Sequence, residues 1–419
     1  MAESVKDYSI KDYHKNILDQ RSSTQKTIDA ALDVVKQFII DRKRIMVGGM
    51  MIDMALKLKG DELYSPDTLP DYDFYSPNHF RDAYDLGEIL CKKCFKQISV
   101  IPAQHITTMK VRINFEVVAD ITYCPQVIYD ILPTLRFNKF LIRHPHVQMI
   151  DQHRSLSMPF ENPGREVIFN RWKKDCLRYD MLYKHYPIPR PTPKELPSKQ
   201  HAMRKVTVKV GADECLAGWA AYDIWCQLFE GKKITNKVTI PKWAQITVLT
   251  QGPKFKLKIG GKPKKNKPNK SKSNKSESKG NESNKSECFN PYFDHIPHRL
   301  IKGEYEYMDT EGLKIGAHKF ENGLTVANLQ YVMVYILANM MYNPQDENLV
   351  IWARHCYNRC RDMITASYDR PDGRLFMPTV EMYGQTNASP STAVYKETFL
   401  ARLNNTGLPS YSPKPGLDR

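Results

Sequence analysis

The first clear hydrophobic pattern in the chain covers residues 22–39, where apolar residues recur three or four positions apart. This spacing predicts an amphipathic helix, and the serines at its start favour an N-cap. A basic run at 42–44 and then three apolar residues, Ile45–Val47, predict the end of that helix and a short strand. Gly48 and Gly49 come next, and a helical pattern resumes directly after them. The order strand, glycine pair, helix predicts a helix N-terminus whose unpaired backbone N–H groups and dipole favour a phosphate.

Acidic and aromatic residues alternate over Asp71–Tyr75. Successive side chains of a strand project from opposite faces, so Asp71 and Asp73 are expected on one face. The apolar run 115–121 predicts another strand, which carries a lone acid, Asp120. Carboxylates gathered on one face are costly unless a divalent metal ion or an arginine lies between them. Three hard oxygen ligands beside a phosphate-binding turn indicate magnesium with a nucleoside triphosphate; the alternative is a solvated acid pair at a strand end.

The stretch between and beyond the acidic strands predicts the rest of a sheet. A helical pattern covers 79–95, and strand patterns cover 98–101 and 106–111, whereas 123–145 shows helical patches. We therefore expect a mixed sheet of about four or five strands with helices behind it.

A further helical pattern covers 164–183 and includes several basic residues. A phosphoryl group in transfer needs its charge neutralised, and a basic side chain on this helix fits that need. We name Lys173 and Lys174 as candidate contacts to the triphosphate. The alternative for each is a solvated position on a helix face where Lys and Arg alternate with Asp.

A proline-rich connector at 185–197 predicts a domain boundary. After it, the pattern predicts a strand at 206–210, a small-residue turn at Gly211 and a helix over 214–229. An alternating strand without an Asp-x-Asp motif follows at 244–249. We interpret this half as a second lobe of the same kind that has lost its carboxylates. Helical patterns at 324–341 and 347–366 complete it.

The basic balance of the chain points to an anionic partner. Its 419 residues carry a formal net charge of +16, which favours nucleic acid as that partner. The Lys/Asn/Ser-rich segment 254–288 is low in complexity and is predicted to be disordered. We find no signal peptide and no apolar stretch long enough to span a membrane. Nine cysteines, an odd number, favour free thiols, and Cys91-x-x-Cys94 is interpreted as structural thiols rather than a zinc site.

Three short motifs resemble the nucleotidyltransferase superfamily that includes DNA polymerase β and poly(A) polymerases. They are Val47-Gly48-Gly49, Asp71-Tyr72-Asp73-Phe74 and Ala119-Asp120-Ile121. The spacer between the first two motifs is longer than the family usually shows, and we interpret its stretch 60–67 as a surface insertion. The blocks 114–125 and 178–187 further resemble the poly(A) polymerase catalytic subunits of large DNA viruses, of the poxvirus and giant-virus type.

The resemblance implies an α/β (α+β) fold, in which a mixed-sheet nucleotidyltransferase domain precedes a second, degenerate one. It implies template-independent transfer of AMP from ATP to an RNA 3′ end. Asp71, Asp73 and Asp120 would bind two Mg²⁺ or Mn²⁺ ions, and Gly48 and Gly49 would seat the ATP phosphates. Partners would be RNA, ATP and either a second copy or a processivity subunit, with no membrane, in the host-cell cytoplasm or the virion. Another nucleotidyltransferase activity (uridylyl transfer or oligoadenylate synthesis) and a catalytically silent RNA-binding scaffold remain alternatives.

The expected domain order follows from these patterns. Residues 1–190 form the catalytic domain, of which 1–21 are an N-terminal arm. Residues 191–400 form the second domain with its insertion at 254–288, and 401–419 form a C-terminal tail.

Overall fold

The structure is a computed structural model that describes residues 10–65, 71–103, 107–157, 168–196, 203–250, 299–309, 315–368 and 382–383. The expectations for 254–288 and 401–419, and for residues 1–9 of the N-terminal arm, lie outside the described residues. Residues 10–21 of that arm are helical, so the first helix begins at Ile10 rather than near Ser22. The chain forms two compact units. They comprise Met1–His153 with Arg171–Pro189, and Arg154–Asn170 with Arg190–Arg419.

The first unit is built on one mixed sheet. Its strands are β1 (Ile45–Met46), β2 (Tyr72–Ser76), β3 (Ile98–Pro102), β4 (Thr108–Ile113), β5 (Glu116–Tyr123), β6 (Thr134–Phe137) and β7 (Phe140–Arg143). Its helices are α1 (Ile10–Asp41), α2 (Gly48–Lys57), α3 (His79–Lys92), α4 (Gln126–Ile131), α5 (Pro145–Ser157) and α6 (Ile168–His185), the last two of which extend across the unit boundary. The strand order is β3-β4-β5-β2-β1-β7-β6.

The alternation of β2 separates the core from the acidic face. Tyr72, Phe74 and Ser76 are buried, and the ring of Phe74 lies 6.2 Å from that of Phe38 on α1. The buried residues of α1 keep the helical spacing seen in the sequence, so α1 covers this face of the sheet. Asp73 projects from the opposite face, and because β2 and β5 are parallel and in register, its partner Asp120 projects beside it.

The second unit contains a larger sheet and a two-stranded sheet. Its strands are β8 (Met203–Thr207), β9 (Glu214–Ala217), β10 (Lys237–Pro241), β11 (Ile246–Thr250), β12 (Arg299–Lys302), β13 (Tyr305–Asp309), β14 (Ile315–Lys319), β15 (Thr325–Ala327) and β16 (Met382–Tyr383). Its helices are α7 (Gly218–Phe229), α8 (Leu329–Tyr342) and α9 (Glu347–Tyr368). The larger sheet has the order β12-β13-β11-β9-β15-β14-β16, and β8 pairs with β10.

The two large sheets share a six-stranded arrangement. The order β4-β5-β2-β1-β7-β6 in the first unit corresponds to β12-β13-β11-β9-β15-β14 in the second. All five pairings agree in direction, including the parallel pairs β2/β5 and β11/β13. Each central strand, β1 or β9, enters its helix through a glycine with positive φ, at +68° for Gly48 and +61° for Gly218. The predicted α/β fold class with mixed sheets is confirmed.

Two expectations about these sheets are wrong. The first sheet has seven strands, because Thr134–Arg143 forms the hairpin β6–β7 rather than helical patches. In the second unit, the strand before the helix is β9 and the glycine is Gly218, not 206–210 with Gly211. The four residues of β9 are all buried and continue into an apolar helix, so the sequence pattern does not separate them from it.

Among the described residues, no helix is both long and apolar enough to cross a bilayer.

Candidate active site

Gly48 brings the start of α2 against the acidic strand β2. Its φ of +68° is one that residues with a Cβ rarely adopt. The backbone N–H of Val47 donates to the carbonyl of Asp73 at 2.9 Å, which ties the turn to β2. A Cβ on Gly48 would lie 2.7 Å from Cγ and 2.9 Å from Cβ of Asp73. Only glycine therefore lets the turn and this carboxylate lie so close together.

The three predicted acids converge at this turn. One carboxylate oxygen from each of Asp71, Asp73 and Asp120 lies within 4.8 Å of the other two. Asp71 directly precedes β2, Asp73 lies on it, and Asp120 lies beside Asp73 on β5. The parallel register brings together acids that are about fifty positions apart in the sequence.

Burial and mutual repulsion make the charged form of these carboxylates costly. Burial first, and then the neighbouring carboxylates, raise the pKa of Asp73 to about 8. The pKa of Asp71 is also raised, by burial and then by the charge of Asp120. Nearby positive charges on Lys110 and Arg178 oppose both shifts. Acids that resist ionisation beside one another are stabilised when a cation binds between them.

Lys110 is a neighbour that the sequence analysis missed. Its Nζ donates to both oxygens of Asp120, at 2.9 and 2.6 Å, from the adjacent antiparallel strand β4. The alternation of 108–113 contains a signal for it, because Lys110 shares a face with Thr108 and Arg112. Its pairing with Asp120, however, depends on the register of the hairpin, which shifts between Val111 and Arg112.

The segment interpreted as a surface insertion returns to the site. The backbone N–H groups of Leu63 and Tyr64 donate to Oδ1 of Asp53, a residue of α2 that is 1% exposed, at 2.9 and 3.1 Å. Asp61 accepts from Nε2 of His185 at 2.6 Å, at the end of α6. These anchors hold the described part of the segment against α2 and α6, so that part is not a free surface excursion.

Anchoring the segment places an aromatic hydroxyl beside the glycine pair. Nη2 of Arg178, on α6, donates to the hydroxyl of Tyr64 at 2.8 Å. A Cβ on Gly49 would lie 2.6 Å from the same Nη2 and closer still to the Tyr64 hydroxyl. The first turn of α2 has no side-chain cap on its backbone N–H groups. The site therefore combines a helix N-terminus, a guanidinium and a phenol beside three carboxylates.

Among the basic residues of α6, Arg178 reaches this site. The side chain of Lys174 is exposed one turn earlier, and that of Lys173 lies outside the described residues. A role of Lys173 and Lys174 in binding the triphosphate therefore stays a prediction. Arg178, which the sequence analysis did not name as a candidate contact, lies beside Gly49.

The donor set fits divalent metal ions. Carboxylate oxygens are the ligands that Mg²⁺ and Mn²⁺ prefer, and three such oxygens within 4.8 Å of one another suit a shared site. Among the described residues these three acids are the one His, Cys, Asp or Glu group with metal-ligand spacing. Cys91 and Cys94 are exposed free thiols outside it.

The equivalent position of the second unit has a different chemistry. By strand register, Thr247 corresponds to Asp73 and Glu306 to Asp120, while Gln245 stands two residues before Thr247 as Asp71 does before Asp73. Glu306 is 3% exposed and accepts a hydrogen bond from Thr247 Oγ1 at 3.1 Å. The second lobe therefore keeps one carboxylate, rather than none as expected, and holds it in an internal hydrogen bond.

Comparisons with known proteins identify the family of the chain. A family model for the poly(A) polymerase catalytic subunit matches residues 33–162, which include the glycine pair and all three acids. A protein of African swine fever virus, from a South African tick isolate, is 33% identical over 361 residues, or 83% of this chain and 73% of that protein. It is named as a candidate poly(A) polymerase catalytic subunit. The chain belongs to the poly(A) polymerase catalytic subunit family.

Two further relatives extend the likeness to giant viruses. A protein of Acanthamoeba polyphaga mimivirus, with the same candidate name, is 34% identical over 161 residues, or 38% of this chain and 27% of that protein. The crystal structure of the Megavirus polyadenylate synthase superposes with a TM-score of 0.58 at 15% identity, over 97% of this chain and 85% of that one. At that identity the superposition establishes the shared fold.

Proposed function

We propose that this family member is a template-independent poly(A) polymerase that transfers AMP from ATP to the 3′ hydroxyl of RNA. The observation that carries the proposal is the convergence of Asp71, Asp73 and Asp120 beside the uncapped N-terminus of α2. Family membership and the net charge of +16 support RNA as the acceptor.

In this proposal the three acids bind two metal ions and have different roles. Asp71 and Asp73 would hold both ions, and Asp120 would complete the ion that takes the primer hydroxyl. Bound Mg²⁺ or Mn²⁺ would supply Lewis-acid stabilisation of charge at the attacked phosphate and at the attacking oxygen. Lys110 lies against Asp120 and would give up at least one of its two hydrogen bonds when the carboxylate turns to an ion.

The triphosphate would lie along the glycine turn. The guanidinium of Arg178 lies beside Gly49, at the start of α2, whose backbone N–H groups have no side-chain cap. Arg178 and Tyr64 are therefore proposed as phosphate contacts, together with Gly48 and Gly49. Because Arg178 carries a fixed charge, it would neutralise charge on the pyrophosphate as it leaves.

An extension assay with each NTP offered separately tests the proposal. The full chain should add nucleotides to an RNA primer with ATP and Mg²⁺ or Mn²⁺, and Asp120→Asn should lose nearly all of this activity. The matched control is Glu306→Gln, the same change at the equivalent position of the second unit, which should extend at the wild-type rate. Extension with UTP but not ATP would identify a uridylyltransferase, whereas extension by Asp120→Asn at the wild-type rate would refute the catalytic assignment.

The family description as a catalytic subunit also bears on partners. We propose that the chain works with a second subunit, either another copy or a processivity factor, in the host-cell cytoplasm or the virion. Light scattering of the purified chain would separate the two: a dimer favours the first, and a monomer that extends only short tails favours the second.

A further inference from the structure

A long trough crosses the second unit away from its degenerate centre. Two adjoining cavities form it, of about 650 and 410 Å³, and they share several lining residues. Its floor is one face of α7, and its walls are α9 and the paired strands β8 and β10. The shared residues are Lys205, Asp223, Gln227, Lys232 and Thr239.

The charged residues that line the trough are mostly basic. Six of its lining residues are Lys or Arg, against two acids. The six are Arg204, Lys205, Lys232, Lys233, Lys237 and Arg359. The acids are Glu230 and Asp223. A net positive trough favours an anionic ligand.

The six cations differ in their partners, and Lys232 pairs with Glu230 at 2.6 Å. Arg204 and Arg359 are partly buried and are held by Glu304 and Glu230, so their guanidinium planes are oriented before a ligand arrives. Lys205, Lys233 and Lys237 are exposed, and no ion pair involves them within the described part of the chain. Exposed lysines that follow a groove suit the successive phosphates of a flexible strand.

One wall also offers aromatic surface. Trp352 and His355 of α9 stack with ring centroids 5.2 Å apart and planes 27° apart, and both are partly exposed. Arg359 follows one turn later on the same face of the helix, because the spacings of three and seven residues coincide on an α-helix. A cationic groove with aromatic side chains is the combination that binds single-stranded nucleic acid without sequence preference.

We propose that this basic trough, defined by the six cations with Trp352 and His355, binds single-stranded RNA upstream of its reacting 3′ end. The inference rests on the proposed function for the identity of the strand. The second unit lacks two of the three catalytic carboxylates, so RNA bound there is a part of the strand that is not reacting. A sequence-tolerant site suits a polymerase whose acceptor becomes homopolymeric as it grows.

A charge-matched pair of triple variants tests the trough. The first replaces its free lysines, Lys205, Lys233 and Lys237, with alanine. The control replaces three exposed lysines elsewhere in the same unit, Lys209, Lys242 and Lys302, with alanine. All six side chains are exposed, so both variants should fold, and circular dichroism melting checks this.

Binding of a 20-nucleotide oligo(A), without ATP or metal, is the first measurement. Each phosphate contact contributes about 0.7 to the log–log salt slope of single-strand binding, so the trough variant should lose about two units of slope and bind at least tenfold more weakly. The control variant should keep most of both. In extension assays the trough variant should raise the KM of the 20-mer but not that of a trinucleotide primer, with kcat preserved.

A second measurement needs no variant. Ultraviolet crosslinking of oligo(A) that carries 8-azidoadenine to the full wild-type chain should label a peptide of α9 that contains Trp352 or His355. Equal loss of binding in both triple variants, or crosslinks confined to the first unit, would overturn the proposal and leave the trough to another partner, such as a protein. If wild-type protein binds oligo(A) through the trough yet extends no primer, the trough stands and the proposed function fails.

Discussion

Gly48→Ala is the most specific perturbation of the site, because the added methyl group would displace the Asp73 carboxylate without removing it. In Gly48→Ala the new Cβ would lie 2.7 Å from Cγ and 2.9 Å from Cβ of Asp73. Carbon atoms in contact normally lie about 3.5–4.0 Å apart. Rotating the carboxylate cannot relieve the contact, since the Cβ of Asp73 itself is too close. Asp73 must therefore retreat by about 1 Å.

Two separate costs follow from this geometry. Alanine in the left-handed region at φ +68° costs about 1–2 kcal/mol of stability, to which the crowding adds. A displacement of about 1 Å at a reacting centre costs about a hundredfold in rate. The variant should thus lose roughly a hundredfold in kcat while most of the protein remains folded at 25 °C.

Gly218→Ala is the matched control. Its φ is +61°, and its new Cβ would lie 2.8 Å from Oγ1 of Thr247 and 3.0 Å from Cζ of Tyr335. The control should therefore lose a similar amount of stability, measured by urea unfolding, but keep the wild-type kcat for ATP-dependent extension. A wild-type kcat in Gly48→Ala, or an equal loss of turnover in both variants, would show that the contact between residue 48 and Asp73 does not position the carboxylate.

Three further predictions concern the surroundings of Asp73. The pKa of Asp73 is raised to about 8, above its unfolded value of 3.8, so Asp73 should contribute a fall in the free energy of unfolding of the metal-free protein as pH rises from about 4 to 8. Asp73→Asn should remove this contribution in urea titrations with EDTA. A pH dependence equal to that of the wild type would contradict the prediction. Arg178→Ala should lower kcat/KM for ATP by about a hundredfold, because it removes a single charge-stabilising donor. Lys174→Ala, one turn away, should change kcat/KM less than threefold. The reverse order in steady-state assays would favour the lysine as the phosphate contact. Asp53→Asn should weaken the hydrogen bonds that anchor the segment containing Tyr64, and so cost about 1–3 kcal/mol of stability in thermal unfolding. It should also raise the KM for ATP. A wild-type KM would show that the segment does not support the site.

Local periodicity and residue chemistry predicted the strand and the turn that carry the candidate site. The alternation around Asp71 and Asp73 is a two-residue period, and the glycine pair marks a strand-to-helix turn, so both features are visible in short windows. The convergence of Asp120 follows once the two strands are taken as neighbours. These residues carry the candidate site, and the family resemblance rests on them.

Features that depend on long-range packing were not predicted. The contact between Lys110 and Asp120 depends on hairpin register, and the return of Tyr64 depends on Asp53, which looks like an ordinary acid on an apolar helix. Arg178 could not be distinguished from its basic neighbours, because α6 presents Lys and Arg on several sides and the sequence does not state which side faces Gly49. Tertiary contacts decide all three.

In the second unit an apolar strand continues directly into an apolar helix, and the sequence pattern did not separate the two. Cys215, Leu216 and Ala217 run directly into the apolar start of α7, so the pattern reads as one helix from 214. Gly218 was the available signal, since a glycine at that point interrupts the pattern as Gly48 does. The correspondence of Thr247 with Asp73 needs the strand register and is not readable from the sequence.

The proposal that Asp71, Asp73 and Asp120 bind two metal ions can be tested by counting the Mn²⁺ ions bound per chain in the presence of a non-hydrolysable ATP analogue. Electron paramagnetic resonance of free and bound Mn²⁺ can count them. We expect two ions in the wild type and the loss of at least one in each of Asp71→Asn, Asp73→Asn and Asp120→Asn, with Glu306→Gln unchanged. Wild-type Mn²⁺ binding in all three Asn variants would contradict it.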